Sequence, residues 1–140
     1  MASANLDLVR SLGEAFDRGD FSSADWAHPE IEWEIADGPA PGRWKGVAGM
    51  VEGWRDFLSA WEDWRSETEG SLELDDERVL GFFHFSARGK RSGLEAGQIQ
   101  TKGAALYHIR DGKVTRLVLY WNRERAFEDL GLPSETSASS

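Results

Sequence analysis

The chain has 140 residues, a net charge of −9 and no cysteine. This length suits one domain around one core. Disulfides, thiolate nucleophiles and cysteine-held metals are excluded, and the acidic balance speaks against a phosphate backbone as partner, so no nucleic acid is expected. Hydrophobic residues make up 40% and charged residues 29%, an ordinary globular composition, but seven Trp and seven Phe are enough ring surface to wall a space as well as fill one.

Leu6, Val9, Gly13 and Phe16 recur at helical spacing and predict a first helix over about residues 5–18, with Asn5 as N-cap and Gly19 as its stop. Met1 to Arg10 has no apolar run of signal-peptide length, and no stretch reaches the roughly 18 apolar residues of a spanning helix, so a cytoplasmic, membrane-free protein is expected. A helical turn from Phe21 to Trp26 ends at His28-Pro29, because the residue before proline avoids the helical region. In Glu30-Ile31-Glu32-Trp33-Glu34-Ile35 the apolar residues share one face and the glutamates the other, the pattern of a strand with one wet side. The stretch Asp37 to Gly42 carries turn chemistry.

Val47, Met50, Val51, Trp54, Leu58 and Trp61 mark a second helix. Its Gly49 and Gly53 each cost roughly 1 kcal/mol relative to alanine, which points to close packing against the sheet. Strands follow. Trp64, Ser66, Thr68, Gly70, Leu72 and Leu74 alternate with Arg65, Glu67, Glu69, Ser71 and Glu73. After Asp75-Asp76, Val79, Gly81, Phe83, Phe85 and Ala87 oppose Leu80, Phe82 and His84. A long strand runs from about Leu94 to Ile109. Arg110-Asp111-Gly112 reads as a three-residue loop with Gly112 left-handed, closing a bulge. Val114 to Trp121 forms the last strand, and Asn122 caps a final helix through Leu130 that Gly131-Leu132-Pro133 terminates. Residues 1–133 therefore read as a single domain and 134–140 as a disordered tail.

Helices first and strands later, each with one-face alternation, give an α+β fold. The stretch from Val9-Arg10 to Gly19-Asp20 carries a resemblance, as do His28-Pro29-Glu30-Ile31-Glu32-Trp33, Gly46, Arg110 to Val114, and Tyr120 to Leu132. Their order and spacing resemble the NTF2-like superfamily, and within it the small bacterial SnoaL-like proteins. The resemblance implies a cone: a curved antiparallel sheet wrapped around N-terminal helices, with an apolar cavity between them. The family's members include isomerases, cyclases, dehydratases and non-enzymatic adaptors, so the fold leaves the activity open.

Continuing the alternation from Ile31, Trp33 and Ile35 brings Asp37 onto the apolar face. A carboxylate there could act as a general base toward a carbon beside a carbonyl. The same Asp-Gly-Pro stretch is equally ordinary turn chemistry, with the carboxylate on a backbone N–H. The ketosteroid isomerases place their base at a comparable strand end, but the oxyanion-hole positions correspond here to Phe16 and Ala105, which donate no hydrogen bond. Tyr107 shares the face of Ala105 and could donate one to a substrate oxygen, or could be a core tyrosine. Trp33, Trp54, Phe83, Leu117, Leu119 and Trp121 fall on the same inward parity and are the candidate substrate wall.

His28, His84 and His108 lack metal-ligand spacing, and His84 and His108 fall on the outer face; a one-residue register slip would turn His84 inward. Leu80, Phe82, Leu106, Val118 and Tyr120, also outward, are expected to pair two copies into a homodimer. The sequence thus points to a protein that binds a small hydrophobic molecule, carbonyl-bearing or polyketide-like. It would be a cofactor-free isomerase or cyclase, a non-catalytic binder, or a dimeric interaction module. No metal or cofactor is expected.

Overall fold

Alternation of apolar and polar residues directs six of the described segments into strands. The computed structural model describes residues 4–17, 25–37, 42–59, 61–89 and 98–132. In chain order the elements are α1 (Ala4–Asp17), β1 (Ala27–Ile35), β2 (Gly42–Lys45), α2 (Gly46–Ser59), β3 (Trp61–Glu73), β4 (Arg78–Gly89), β5 (Gln98–Arg110), β6 (Lys113–Tyr120) and α3 (Arg123–Leu130). The strands form one sheet in the order β2-β1-β6-β5-β4-β3. Neighbours are antiparallel except β1 and β6, which run parallel. Helix α1 packs on β3 and β4, while α2 packs on β1 and β2 and reaches across to β3. The sheet curls around the two helices, in the α+β cone expected.

The two sheet faces bury different cores. Ile31, Trp33, Ile35, Val79, Phe85, Tyr107, Ile109 and Val114 face inward and pack with Val9 and Leu12 of α1 and Met50 of α2. Leu80, Ala104, Leu106, Val118 and Tyr120 face outward, under Ala126 and Phe127 of α3. The outer residues expected to meet a second copy are therefore buried within one chain. The exception is Phe82, which is half-buried with its ring 5.9 Å from that of Phe127.

Helix α3 is fixed at both ends. The Asn122 side chain accepts the Glu124 N–H at 3.0 Å, and Gly131 adopts φ 68° while Leu132 N–H donates to the Phe127 carbonyl at 2.9 Å. Arg123 in its first turn is buried. Its guanidinium donates to the carbonyls of Gly103 (3.2 Å) and Phe83 (3.0 Å) and to Glu69 (2.5 Å), and lies 5.2 Å from the Phe82 ring centre.

Several local expectations change. The Asn5 side chain donates to the Asp76 carbonyl at 2.8 Å, tying α1 to the β3–β4 turn, and it lies inside the helix that begins at Ala4. β1 starts at Ala27, and His28-Pro29-Glu30 are absorbed in an irregularity of the β1–β6 pairing between Ala27 and Glu32. The turn expected over Asp37 to Gly42 falls mostly on residues 38–41, outside the described residues; a four-residue strand, β2, begins at Gly42, and Trp61 opens β3 instead of closing α2. The β5–β6 turn has two residues, Asp111 (φ 53°) and Gly112 (φ 76°), both left-handed as the twist of a two-residue hairpin requires. Its bulge lies deeper, between His108 and Ile109. Gly19, Phe21–Ala24, Leu94–Gly97 and the 134–140 tail lie outside the described residues, as do the side chains of Phe16, Trp61 and Trp64.

Candidate functional site

The concave side of the sheet is not filled by its helices. Between α1 and α2 lies a cavity of about 750 Å³, within the range of sites for drug-sized molecules.

One wall is aromatic and aliphatic. Trp33 of β1 and Trp54 of α2 meet edge to face, their ring centres 5.3 Å apart. Trp44 of β2 backs them, its ring centre 4.7 Å from that of Trp33. The glycine in α2 makes this possible: a Cβ on Gly53 would stand 2.6 Å from the Trp44 indole. Met50, Leu117 and Leu119 complete this side. The floor is Gly81, Ala105 and Tyr107.

The opposite wall is β3. The pairing of β3 with β4 shifts between Thr68 and Gly70, so Glu69 is an extra residue there. Ser66 and Thr68 pair with the inward Phe85 and Phe83, and after the bulge Ser71 pairs with the inward Gly81. Leu72, expected on the face of Thr68, pairs with Leu80 on the outer face. The bulge also delivers Glu69 to Arg123, whose guanidinium holds that carboxyl below its ordinary range by hydrogen bonding. Phe83 keeps its place on this side because its ring lies over Gly103, where a Cβ would be 2.8 Å from the ring.

Helix α1 supplies the roof above β3 through Val9, Gly13 and Asp17, one line at a spacing of four. A Cβ on Gly13 would lie 2.7 Å from the Thr68 hydroxyl, so only glycine allows this approach. Asp17 accepts the Thr68 backbone N–H at 2.9 Å. Arg10, Glu14 and, from α2, Val51 and Arg55 form the rim. Val51 is 41% exposed.

Of the residues singled out in the sequence, Trp33, Trp54, Phe83, Tyr107, Leu117 and Leu119 line this cavity. Burial pushes the Tyr107 phenol far above its ordinary range, with the charge of Asp17 a second cause, so it stays protonated at neutral pH. Trp121 lies behind the lining, its ring set edge-on against Phe85 at 5.0 Å. Asp37 is not part of the lining either. Its carboxylate accepts the backbone N–H of Trp121 at 2.6 Å and of Asn122 at 3.1 Å, clamping the end of β1 to the start of α3.

The histidines are elsewhere. His28 Nδ1 accepts the Glu30 N–H at 3.0 Å, His84 pairs across the outer face with Glu67 and Lys102, and His108 pairs with Arg78 and Arg116. Among the described residues no cluster of His, Asp and Glu could hold a metal ion, and no described helix is long and apolar enough to cross a membrane.

Sequence reading missed Asp17 and the β3 hydroxyls. The first was signalled by its position four residues beyond Gly13 on the Val9 line. The second had one signal, Gly70 inside a strand pattern, which marks a bulge beside it.

The model of the SnoaL-like domain matches residues 9–117. No curated protein matches the chain. Among solved structures, TerC co-crystallised with polyporic acid is 22% identical, with a TM-score of 0.70 over 91% of this chain and 98% of that one. An NTF2-like protein of unknown function from Burkholderia pseudomallei is 17% identical (TM-score 0.73, 91% and 97% covered). A proposed polyketide cyclase from Xanthomonas campestris pv. campestris is 22% identical (TM-score 0.64, 89% and 94% covered). At these identities the likeness is one of fold.

Proposed function

Since the chain belongs to the SnoaL-like family of NTF2-like proteins, we propose that its cavity binds a flat, mostly apolar carbonyl compound of polyketide-like character. The observation that carries this reading is the edge-to-face pair of Trp33 and Trp54, buttressed from behind by Trp44, in the wall of a space of about 750 Å³. Indole rings in a pocket wall give a planar ring system apolar surface to pack against, and a few convergent polar groups orient it. The resemblance to a protein crystallised with polyporic acid and to a proposed polyketide cyclase supports the same class.

The chemistry such a site supports is cofactor-free proton transfer. Tyr107, held protonated, donates to a substrate carbonyl oxygen and stabilises the charge that develops when the neighbouring carbon loses a proton. In this reading Asp17, a carboxylate of the lining, accepts that proton. One of its oxygens is engaged by the Thr68 N–H, and its charge is felt at Tyr107. Returning the proton to a different carbon completes an isomerisation; attack of the same enolate carbon on a second carbonyl carbon of the ligand, whose C=O π pair passes to its oxygen and takes back the proton from Asp17, completes an aldol-type cyclisation. Asp37 has no part in this, because both its oxygens serve the backbone.

The test is proton–deuterium exchange at the carbon beside the carbonyl of 2-tetralone, followed by NMR in deuterated buffer. Wild-type protein should accelerate exchange at pH 7, Asp17→Asn should lose most of the acceleration, and Asp37→Asn should keep it. Failure of flat carbonyl compounds to bind would sink the pocket reading. Binding without exchange would leave a ligand-holding protein with no chemistry.

A further inference from the structure

The cavity has two unlike long sides, and the difference defines its ligand more narrowly than its volume does. The β1, β6 and α2 side offers Trp33, Trp54, Met50, Leu117 and Leu119, with no side-chain oxygen among them. The β3 side offers three hydroxyls, Ser66, Thr68 and Ser71. They share this side only because the extra residue Glu69 resets the alternation of the strand. Without the bulge the third position would be Gly70, and Ser71 would face outward.

We propose that these three hydroxyls form a rail that binds the oxygen atoms of the ligand along one edge, and that those oxygens are hydroxyl groups. The proposal rests on the pocket reading above and deepens it. A serine or threonine hydroxyl both donates and accepts, so alone it would suit carbonyl and hydroxyl oxygens alike. The neighbours decide between them. Asp17 and Glu14 of α1 flank the rail, and ionised carboxylates only accept. An edge carrying O–H groups satisfies hydroxyls and carboxylates together, whereas an anionic edge would stand against two like charges.

Two arginines reach the rim but do not change the sign along the rail. Arg10 is 3.7 Å from Asp7 on its own helix, and Arg55 belongs to α2, on the apolar side. The ligand class is then a planar aromatic with one bare edge against the tryptophans and vicinal or neighbouring hydroxyls against β3. Its ring plane lies along the floor, which glycine at position 81 keeps low beside Tyr107: a Cβ there would stand in ordinary contact with the Tyr107 ring at 3.4 Å.

The experiment compares three probes of one shape by NMR titration at pH 7: naphthalene, 2,3-dihydroxynaphthalene and 2-naphthoate. The expected order of affinity is dihydroxynaphthalene, then naphthalene, then naphthoate. Ser66→Ala, Thr68→Val and Ser71→Ala should each weaken dihydroxynaphthalene by roughly two- to tenfold, the effect of one hydrogen bond. Each should leave naphthalene unchanged, and that affinity doubles as the check that the variant is folded and its cavity intact. Tightest binding of naphthoate would overturn the proposal in favour of an anion site at the rim arginines. Equal affinity for naphthalene and its diol, insensitive to the three variants, would overturn the rail while the pocket stands. Binding of none of the probes would overturn both.

Discussion

The inner and outer faces of the sheet draw on the same alternation in the same strands, yet one is hollow and the other is sealed. On the outer face, eight residues of α3 lie across β5 and β6, and Ala126 and Phe127 fill the space over Leu80, Ala104, Leu106 and Val118. On the inner face the helices stand at opposite sides of the curl, α1 over β3 and β4 and α2 over β1 and β2. What distinguishes a core from a pocket here is the placement of the covering helices rather than the hydrophobicity of the strands. Glycines set that placement: Gly13 draws α1 onto Thr68 and Gly53 draws α2 onto Trp44. Both helices are pulled toward the edges of the sheet and away from its centre.

The largest test of this contrast is the removal of Arg123, the buried charge that joins α3 to β3, β4 and β5. Arg123→Ala leaves two backbone carbonyls and Glu69 without their shared donor and should cost about 2–4 kcal/mol in chemical denaturation. Arg123→Lys should recover only part of this, because an ammonium cannot reproduce the fork of a guanidinium. A loss no larger than that of an exposed surface substitution would mean that α3 is held by its apolar contacts alone.

Adding volume to each face sharpens the contrast. Ala126→Leu forces extra carbons into the sealed side, where Ala126 has no exposed surface, and should cost about 1–3 kcal/mol. Gly81→Val places its methyl groups in the cavity, in a strand that favours valine, and should change stability by less than about 1 kcal/mol. It should nevertheless abolish probe binding. Equal destabilisation by the two variants would show that the inner space is packed in solution.

How far the two faces were legible follows from the same residues. Ile31, Trp33 and Ile35 announced their strand, and Asn122 and Gly131-Leu132 their helix, because alternation and capping are local signals. The residues expected for a dimer face were correctly placed outward but wrongly left uncovered: nothing local in Arg123 to Leu130 says which face of the sheet this short helix will meet. Asp37 illustrates the reverse limit. Both the pocket and the backbone role were open to an aspartate after Ile35, and its partners, Trp121 and Asn122, lie more than 80 residues away. β2 was hidden by its brevity, and with it the tryptophan that buttresses the pocket wall.

The smallest expected effect is electrostatic. Half-buried His108, on the outer face, has its pKa lowered from the ordinary 6.5, first by burial and then by the charges of Arg116 and Arg78, which outweigh the opposite pull of Asp75 and Glu77. The fold therefore favours neutral histidine. Its contribution is complete above pH 6.5 and declines as pH falls below that value, because the unfolded chain takes up the proton first. Urea unfolding at pH 7.5, 6.5 and 5.5 should show a shallower decline for His108→Gln than for the wild type. Identical slopes would place His108 in water.

The parallel pairing of β1 with β6 also orders events in time. Trp33 lies opposite Leu117, and the β1 end at Ile35 opposite Leu119. The antiparallel β3, β4 and β5 can pair with near neighbours in sequence, whereas the aromatic wall waits for the strand that ends at Tyr120 to be available as its template. Closing a loop of that length is slow compared with forming a hairpin. On the ribosome the polar side of the cavity can be assembled from chain already made, but the side that stacks a ligand is completed last, so the nascent protein has no site to offer until almost its whole described length has emerged.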